Sequence, residues 1–404
     1  MPAYIARTLE PVLRRAASEF PGVVLTGPRQ SGKTTLLRHL FPGMRYRSLE
    51  PPDVARAAAV DPRGFLAANP PPVIFDEVQR AAELLPYMQE RIDERRDAKG
   101  QYLLTGSIDL LLAERVTESL AGRVAMLRLL PLSWREARGQ PDWPFPWESE
   151  VADPGSTEGG PALWVRLLAG FYPELVADPA RDASLWHSSY VQTYLERDVR
   201  SLRQVGDLMQ FHAFLTTLAA RSGQLLNLAG LARDLGLAGN TVKAWLSVLE
   251  ATAQVIVLRP YFANVGKRLV KTPKVYLADP GTLCHLVGLR DPEHAAQGPM
   301  AGAIMETAVV GEIVKRLLHR GIEPRLFFWR TSAGDEVDLI LASGDRLIPM
   351  EVKLSATPHP GMATALRRFS KEFPSQVLPG YCIHPGTVRL PLGTGVTALP
   401  FSDL

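Results

Sequence analysis

Residues 27 to 34 read Gly27-Pro28-Arg29-Gln30-Ser31-Gly32-Lys33-Thr34, which fits the pattern G-x-x-x-x-G-K-[ST] of a phosphate-binding loop. An apolar run at residues 23–25 precedes this loop, and a helical pattern up to residue 40 follows it. Strand, loop and helix in this order are the setting that the pattern requires. The glycines let the backbone curl, so that several N–H groups and the positive end of the helix face one point. The loop therefore predicts a site for ATP.

The polar side chains of the loop have separate predicted roles. Lys33 is expected to contact the β and γ phosphates of ATP, and the hydroxyl of Thr34 is expected to bind Mg²⁺. The other positions of the predicted nucleotide site are Gly27, Pro28, Arg29, Gln30, Ser31, Gly32 and Thr35. The alternative is an ordinary glycine-rich turn, which the flanking strand and helix disfavour.

Length and composition limit the class of protein. A chain of 404 residues exceeds what one hydrophobic core usually holds, so two or three domains are expected. The net charge of +3 is too small to identify a nucleic-acid-binding protein, so any DNA surface must be a local patch. Two distant cysteines, Cys284 and Cys382, and no run apolar enough for a leader or a membrane span predict a cytoplasmic protein without a membrane partner.

A second apolar run, residues 72–75, ends in the carboxylates Asp76 and Glu77. The carboxyl end of a parallel strand faces the ligand crevice, so one acid is expected beside Mg²⁺ and the other beside the attacking water. We assign Asp76 to the metal and Glu77 to the general base. The alternative, that the two acids only cap a strand end, loses weight beside a phosphate loop.

Two further positions are candidates for the ATP site. Ser107 follows a buried strand at residues 101–104 and could sense the γ phosphate or hold the water, or simply cap the next helix. Arg123 precedes a strand at residues 124–130 and could reach the γ phosphate of the same or a neighbouring subunit, which would require a homo-oligomer. An exposed structural arginine is the alternative. Apolar strands alternating with helices predict an α/β core with a parallel sheet covered on both faces.

Several blocks of sequence, taken in order, resemble a known family. They are residues 27–34, 73–80, 103–107, 120–123, 130–133, 194–198, 274–281 and 329–353. Together they are similar to the bacterial and archaeal AAA+ superfamily P-loop ATPases of the AAA_14 type that carry a DUF4143 C-terminal region. The resemblance implies an ATPase core, a winged-helix segment and a nuclease-like terminal fold. A Pro-, Gly- and acid-rich insertion at residues 140–162 departs from the family, and we interpret it as a flexible loop or a partner-docking segment.

The middle of the chain predicts a helical lid and then a helix-turn-helix. An amphipathic helix is expected at residues 183–205. Helices are then expected at residues 229–235 and, capped by Asn240, at residues 241–250, followed by a wing strand at residues 255–259. In the second helix the residues at core spacing are Val242, Trp245, Leu246 and Leu249.

The opposite face of that helix carries small and polar side chains that fit a major groove, namely Thr241, Lys243 and Ser247. A basic run follows without an acid and is a candidate for phosphate contacts; its members are Lys267, Arg268, Lys271 and Lys274. DNA is therefore an expected partner. The alternative is a winged helix that only packs against the ATPase core or against an unknown protein partner.

The last part of the chain carries acids in a helix and in two strands. Glu306 lies in a predicted helix at residues 304–318, Asp338 in a strand at residues 337–341, and Glu351 and Lys353 on one face of a strand at residues 347–353. Two carboxylates there could hold a second divalent cation, with the lysine activating water for phosphodiester cleavage. These positions resemble the PD-(D/E)xK signature of restriction-endonuclease-like folds. The alternative is a degenerate nuclease fold whose charges pair with one another.

We therefore predict three parts: a P-loop ATPase core at residues 1–182, a lid and winged helix at 183–282, and a nuclease-like α/β domain at 283–404. One hypothesis is an ATP-driven machine that cleaves nucleic acid with a metal ion. Another is a nucleotide-dependent switch whose last two parts only bind DNA or a protein. A third is a nuclease whose P-loop domain merely binds nucleotide.

Overall fold

The computed structural model describes residues 4–106, 118–149, 159–195, 208–261, 271–332 and 334–404. Within these ranges the α-helices are Glu10–Glu19, Lys33–Leu40, Pro52–Val60, Pro62–Ala68, Leu84–Glu94, Trp134–Ala137, Pro161–Ala169, Pro173–Ala177, Ala183–Tyr190, Leu208–Ala220, Leu228–Leu235, Gly239–Ala251, Pro280–Leu286, Pro292–Gln297, Ala301–His319 and Thr364–Glu372. Among the helices so described, none is long and apolar enough to cross a membrane.

The first sheet contains five strands. They are β1 (Gly22–Thr26), β2 (Arg45–Ser48), β3 (Val73–Asp76), β4 (Tyr102–Gly106) and β5 (Val124–Arg128). Their order is β2-β3-β4-β1-β5, and every neighbouring pair is parallel. Alternate residues of β1, β3 and β4 enter two separate apolar clusters, one on each face of the sheet. The predicted α/β core with a covered parallel sheet is confirmed.

The phosphate loop joins β1 to the helix Lys33–Leu40, which we call the loop helix. Gly27 and Gly32 have φ values of 155° and 94°, a region that favours glycine. A Cβ atom at Gly27 would lie 2.0 Å from the carbonyl oxygen of Leu129, so the backbone approaches too closely there for any side chain. The tight turn that the sequence predicts is therefore required by its surroundings.

A second, mixed sheet contains eight strands in the order β12-β13-β11-β10-β9-β8-β6-β7. They are β6 (Val255–Pro260), β7 (Lys274–Leu277), β8 (Leu326–Arg330), β9 (Glu336–Ser343), β10 (Arg346–Val352), β11 (Gly380–His384), β12 (Leu390–Pro391) and β13 (Val396–Pro400). The helix Ala301–His319, which we call the long helix, contacts β7 and β10 of this sheet and β5 of the first. The long helix therefore contacts both sheets, whose buried apolar residues form separate clusters.

The strand β6 lies where the sequence predicts the wing strand, and it also belongs to the mixed sheet. It pairs antiparallel with β7 and, through Arg259 and Pro260, parallel with β8. Its apolar residues Val255 and Leu258 belong to the core of the mixed sheet, which explains why the strand is buried there. The expected boundary between residues 282 and 283 therefore falls after two strands of one hydrogen-bonded sheet. The three-part division of the chain stays a prediction.

The two helices of the predicted helix-turn-helix are present at Leu228–Leu235 and Gly239–Ala251. We call the second one the exposed helix. Its residues at core spacing are buried, as predicted. The first helix ends at Gly236 in the left-handed conformation.

The predicted cap of the exposed helix is wrong. Ala238 occupies the N-cap position without a side-chain hydrogen bond, and Asn240 lies inside the first turn. The turn between the helices is therefore shorter than predicted. Asn240 is exposed and does not serve as the cap.

Of the predicted insertion, residues 140–149 and 159–162 are described, and the first of these segments packs against the protein. Phe145 is buried and stacks on Trp147 with ring centroids 4.5 Å apart. Arg320 of the long helix region donates a hydrogen bond of 2.7 Å to the carbonyl oxygen of Trp143 and forms an ion pair with Glu148. The interpretation as a flexible loop is wrong for these residues, because their aromatic side chains join the apolar core.

The predicted lid helix is described only in its first part. It consists of the α-helix Ala183–Tyr190 and a π-helical turn at Val191–Leu195. The remainder of the expected helix lies outside the described residues.

Candidate functional site

The phosphate loop lies at the carboxyl end of β1 with its lysine folded over it. The Lys33 ammonium donates hydrogen bonds of 3.0 Å and 2.9 Å to the carbonyl oxygens of Gly27 and Pro28. Lys33 is also the first residue of the loop helix, so its backbone stands at the positive end of that helix. The Lys33 ammonium and the backbone of the predicted nucleotide-binding segment, residues 27–35, therefore lie together at this end of β1.

Three hydroxyl groups donate to Asp76 at the end of β3. Thr34 donates to Oδ1 over 2.7 Å, Thr105 donates to the same oxygen, and Tyr46 donates to Oδ2 over 2.8 Å. The Thr34 hydroxyl and the Asp76 carboxylate supply the hard oxygen ligands that Mg²⁺ prefers, so these residues fit that ion. Sequence reasoning missed Tyr46 and Thr105. The position of Thr105 at the carboxyl end of a buried strand was a usable signal for it.

Glu77 directly follows Asp76 in the left-handed conformation, with φ of 60°. Its backbone N–H donates to the Thr105 hydroxyl over 3.1 Å, and its carboxylate accepts a hydrogen bond from the amide of Gln79. Thr105 therefore contacts the carboxylate of Asp76 and the backbone of Glu77. This leaves the carboxylate of Glu77 at the same sheet edge as the phosphate loop, where a general base would have to be.

Arg123 lies at the wrong end of the sheet for the same-subunit role. Val124 pairs with Gly22 at the start of β1, whereas the phosphate loop follows the last residue of that strand. The guanidinium instead forms two hydrogen bonds of 2.8 Å with Asp93 on the surface. The contact with a phosphate in the same subunit is excluded by this placement. Ser107 lies outside the described residues.

A buried arginine connects the phosphate loop to the rest of the molecule. Arg7 donates 2.9 Å and 2.7 Å hydrogen bonds to the carbonyl oxygens of Ser31 and Leu130. Its Nε atom lies 3.2 Å from Oε1 of Glu136, and both side chains are almost completely buried. The position of the phosphate loop is therefore tied to that of Glu136. Nothing in the sequence pattern pointed to Arg7.

Glu136 is surrounded by hydrogen-bond donors. Besides Arg7, it accepts from the backbone N–H groups of Thr8 and Ser133, each over 2.8 Å. His319, at the end of the long helix, lies 3.1 Å from Glu136 through Nδ1, and its Nε2 accepts a 3.1 Å hydrogen bond from the N–H of Leu130. An accepting Nε2 requires a neutral imidazole that donates through Nδ1.

Two pKa shifts accompany this network. Burial alone would raise the pKa of Glu136, but the Arg7 charge and the donated hydrogen bonds hold that pKa well below its ordinary range. Burial lowers the pKa of His319, in agreement with its neutral form. The network therefore consists of an ionised Glu136 and Arg7 with a neutral histidine. It links the ATP site to the long helix.

A second group of acids gathers in the mixed sheet around a lysine. The Lys274 ammonium of β7 lies 2.6 Å from Glu336, 3.7 Å from Glu306 and 3.9 Å from Asp338. Tyr276 donates a hydrogen bond of 3.1 Å to Glu306. We call this group of four residues with Tyr276 the lysine-centred cluster. Lys274 is buried, so its predicted role in contacting DNA phosphates is wrong.

The other residues of the nuclease-like signature adjoin this cluster. Asp338 accepts a hydrogen bond of 2.9 Å from the N–H of Val352, and Lys353 donates one of 2.6 Å to Oε1 of Glu351. Burial and the charge of Asp338 raise the pKa of Glu351 to about 7. Burial also raises the pKa of Asp338.

Glu306 behaves in the same way as Glu351. Burial and Asp338 raise its pKa to about 7. In the part of the chain that the structure describes, no three His, Cys, Asp or Glu side chains are arranged to hold a metal ion. The second divalent cation predicted at Asp338 and Glu351 therefore does not fit this arrangement, because lysines already contact the carboxylates.

The residues of the exposed helix that are predicted to contact nucleic acid differ in their exposure to solvent. Lys243 and Ser247 are exposed, and Thr241 is half-buried. Lys271 is exposed in the segment before β7, whereas Lys267 and Arg268 lie outside the described residues.

Comparison with known families divides the chain into three matched segments. An AAA domain matches residues 19–138, a domain of unknown function (DUF8612) matches residues 161–293, and a domain of unknown function (DUF4143) matches residues 301–404. The AAA match covers the phosphate loop, Asp76 and Glu77. The DUF4143 match covers Glu306, Asp338, Glu351 and Lys353.

Among solved structures, a Walker-type ATPase of Pyrococcus abyssi is similar over 70% of this chain and 96% of that chain, with 16% identity and a TM-score of 0.45. A signal transduction ATPase with numerous domains from Pyrococcus horikoshii, which carries a tetratricopeptide repeat sensor, is similar over 78% of this chain and 48% of that chain, with 14% identity and a TM-score of 0.29.

Two uncharacterized mycobacterial proteins, one from Mycobacterium tuberculosis and one from Mycobacterium bovis, are each 33% identical to this chain over 395 residues. The similarity covers 97% of this chain and 82% of each relative. The chain therefore belongs to the family of these mycobacterial proteins, and it is a P-loop ATPase in which an AAA domain precedes a C-terminal DUF4143 domain.

Proposed function

We propose that the protein hydrolyses ATP and uses the hydrolysis cycle to switch the contacts that its C-terminal half makes with DNA. Lys33 and the backbone of the loop bind the phosphates, and Thr34 and Asp76 hold Mg²⁺. When bound, that ion would neutralise charge that develops on the transferred phosphate. The observation that supports this most is the 2.7 Å hydrogen bond between Thr34 and Asp76 directly beside the phosphate loop.

Glu77 is the proposed general base. Its carboxylate stands one residue beyond Asp76, where it can accept the proton of a water that attacks the γ phosphate. The backbone hydrogen bond to Thr105 and the side-chain contact with Gln79 fix its direction. Ser107 remains a candidate for holding that water.

The proposed switch runs through Arg7. Because Arg7 binds the carbonyl oxygen of Ser31 inside the phosphate loop and also pairs with Glu136, a change of the loop on nucleotide binding would be felt at Glu136. Glu136 contacts His319 of the long helix, which packs on the mixed sheet. A nucleotide-dependent movement therefore has a continuous hydrogen-bonded route to the C-terminal half.

For the nucleic-acid contact we propose the exposed helix, with Lys243 and Ser247 facing the ligand and Lys271 contacting phosphates. Their exposure supports this assignment. Thr241, Lys267 and Arg268 complete the proposed surface. A protein partner on the same surface is the alternative outcome of the test. We also propose that Arg123 acts on a neighbouring subunit of a homo-oligomer, after leaving Asp93.

The test combines ATP turnover with DNA binding by fluorescence anisotropy. Lys33→Ala is expected to abolish turnover, because the ammonium that contacts the phosphates is lost. Lys243→Glu is expected to weaken DNA binding and to flatten its dependence on salt. Lys99→Glu, the same charge change at an exposed lysine of the ATPase core, is the control and should leave DNA binding unchanged.

Turnover that survives Lys33→Ala would contradict the ATPase assignment. Equal effects of Lys243→Glu and Lys99→Glu would show that the exposed helix does not contact DNA. No DNA binding by the unaltered protein under any nucleotide condition would favour a protein partner.

A further inference from the structure

The centre of the lysine-centred cluster is occupied by an ammonium group. Four carboxylates and three basic groups, counting this ammonium, lie close together at this place. These groups are Glu306, Glu336, Asp338 and Glu351 with Lys274, Arg330 and Lys353. Similarity to nuclease folds would place a divalent cation between Asp338 and Glu351. The structure instead brings Lys274 within 3.9 Å of three of the carboxylates.

Lys274 is held in this position by its surroundings. Its side chain is 5% exposed, and its ammonium lies 5.6 Å from the centre of the buried Phe328 ring. A buried ammonium without counter-charges would be strongly unfavourable, so the acids are the groups that make its burial tolerable. The acids in turn depend on Lys274, because buried carboxylates that lie close together repel one another unless a positive charge lies between them.

The backbone of β7 adds to this restraint. β7 pairs with β6 over four residue pairs. On its other side, the N–H of Gly223 donates to the carbonyl oxygen of Val275 over 2.8 Å, and the N–H of Leu226 donates to that of Pro273 over 2.7 Å. Residues 223–226 directly precede the helix-turn-helix. Lys274 therefore stands on the strand that joins the helix-turn-helix to the mixed sheet.

We propose that the Lys274 ammonium is the resident cation of this cluster, that it excludes divalent metal ions, and that it anchors the helix-turn-helix to the mixed sheet. The C-terminal half is then a binding unit and not a metal-dependent nuclease. A divalent ion at Asp338 would have to share its ligands with the ammonium, and like charges at such a distance in a buried site repel each other.

One observation favours a metal ion. Oε2 of Glu351 is buried and has no hydrogen-bond partner among the residues that the structure describes. A metal ion or a proton would satisfy that oxygen. The experiment therefore counts bound ions and does not depend on cleavage of any substrate.

The experiment titrates Mn²⁺ into the full chain without nucleotide and follows the free ion by electron paramagnetic resonance. Four proteins are compared: the unaltered chain, Asp338→Asn, Lys274→Gln, and Lys274→Gln combined with Asp338→Asn. The unaltered chain and Asp338→Asn are expected to bind the same number of ions. Lys274→Gln is expected to bind one more, and Asp338→Asn in that background should remove it.

Melting temperature supplies a second measurement. Lys274→Gln leaves the carboxylates without their central cation, so its melting temperature should fall. Mn²⁺ should raise it again, because an ion that binds only the folded state stabilises it. Mn²⁺ should not change the melting temperature of the unaltered chain. Lys274→Met, whose unbranched apolar side chain is one atom shorter than that of lysine, repeats the test without a new hydrogen-bonding group.

Two results would overturn the proposal. The first is an ion in the unaltered chain that Asp338→Asn removes, since the site would then take metal beside Lys274. The second is a folded Lys274→Gln or Lys274→Met protein that gains no ion. If both lysine variants fail to fold, the comparison of the unaltered chain with Asp338→Asn still decides whether a metal ion is present.

Discussion

Asp76 and Asp338 are carboxylates of two different sheets whose surroundings differ in kind. Asp76 accepts hydrogen bonds from the hydroxyl groups of Thr34, Thr105 and Tyr46. Asp338 lies among other acids, beside the ammonium of Lys274. Hydroxyl donors orient a carboxylate and leave its charge in place, whereas an ammonium group cancels that charge. The first arrangement can attract a metal ion, whereas in the second we propose that the ammonium takes the place of one.

The largest expected difference between Asp76 and Asp338 is the effect on ATP turnover when each is replaced by asparagine. Asp76→Asn removes the charge that holds Mg²⁺, and we expect kcat to fall about 1,000-fold, which corresponds to ~4 kcal/mol. Asp338→Asn is expected to change kcat less than about twofold, because among the described residues this carboxylate contacts Val352 and Lys274 and none of the predicted ATP-site residues.

The measurement is steady-state phosphate release at saturating ATP and Mg²⁺. Circular dichroism and melting temperature serve as controls for folding. A comparable loss of turnover in both variants would mean that the two sites are not independent, and the contrast between them would fail.

A third carboxylate, Glu136, lies between the ATP site and the long helix. It is buried, its charge is paired with that of Arg7, and it accepts hydrogen bonds from its neighbours. Glu136→Gln should leave Arg7 as an uncompensated buried charge, and we expect it to lower the free energy of unfolding by about 3 kcal/mol. Glu148→Gln is the matched control, since Glu148 pairs with Arg320 at the surface and should contribute less than about 1 kcal/mol.

The dependence on pH gives this prediction a sign. The pKa of Glu136 is lower in the folded chain than in the unfolded one. Its stabilising contribution is therefore complete above the ordinary glutamate pKa and is lost as the pH falls below it. Chemical denaturation should show that Glu136→Gln has a lower free energy of unfolding than the unaltered chain at neutral pH. This difference in free energy should become smaller at acidic pH. Equal losses in Glu136→Gln and Glu148→Gln would contradict the buried network.

Local patterns predicted much of the ATP site and little of the lysine-centred cluster. The loop, Asp76 and Glu77 follow from strand, turn and helix signals within a few residues of each other. The partners of Lys274 come from three distant positions in the chain, residues 306, 336 and 338. Lys267, Arg268 and Lys271 precede it in the sequence, so the pattern predicts Lys274 to be part of a DNA-binding patch. The fold instead buries the Lys274 ammonium among acids that are distant in the sequence.

The same reason explains two elements whose surroundings the sequence does not predict. The strand β6 follows the exposed helix, which favours a wing, but its pairing with β8 joins residues 259 and 327. The insertion looked flexible from its Pro and Gly content, yet Phe145 and Trp147 pack into the core. Composition alone does not reveal what surface a distant helix offers to an aromatic side chain.

Tyr46 offers the smallest and most specific test of how hydroxyl donors prepare Asp76. Its hydroxyl donates to Oδ2, while both threonines donate to Oδ1, so it restrains the other side of the carboxylate. Tyr46→Phe removes only this donor. A hydrogen bond to a charged group contributes about 1.5–3 kcal/mol, and part of that would be lost from the orientation of Asp76 toward Mg²⁺. We therefore expect the Mg²⁺ concentration for half-maximal ATP turnover to rise about threefold to tenfold, with a smaller change in kcat.

Tyr4→Phe is the matched control, because Tyr4 also donates from its hydroxyl to a carboxylate, Glu10, at 2.7 Å. Neither Tyr4 nor Glu10 contacts Asp76, so Tyr4→Phe should leave the Mg²⁺ dependence unchanged even where it lowers stability. A shift that appears in both variants would reflect general loosening of the fold. A shift confined to Tyr46→Phe would show that a neutral donor prepares the carboxylate for its cation, which is the opposite of what Lys274 does for Asp338.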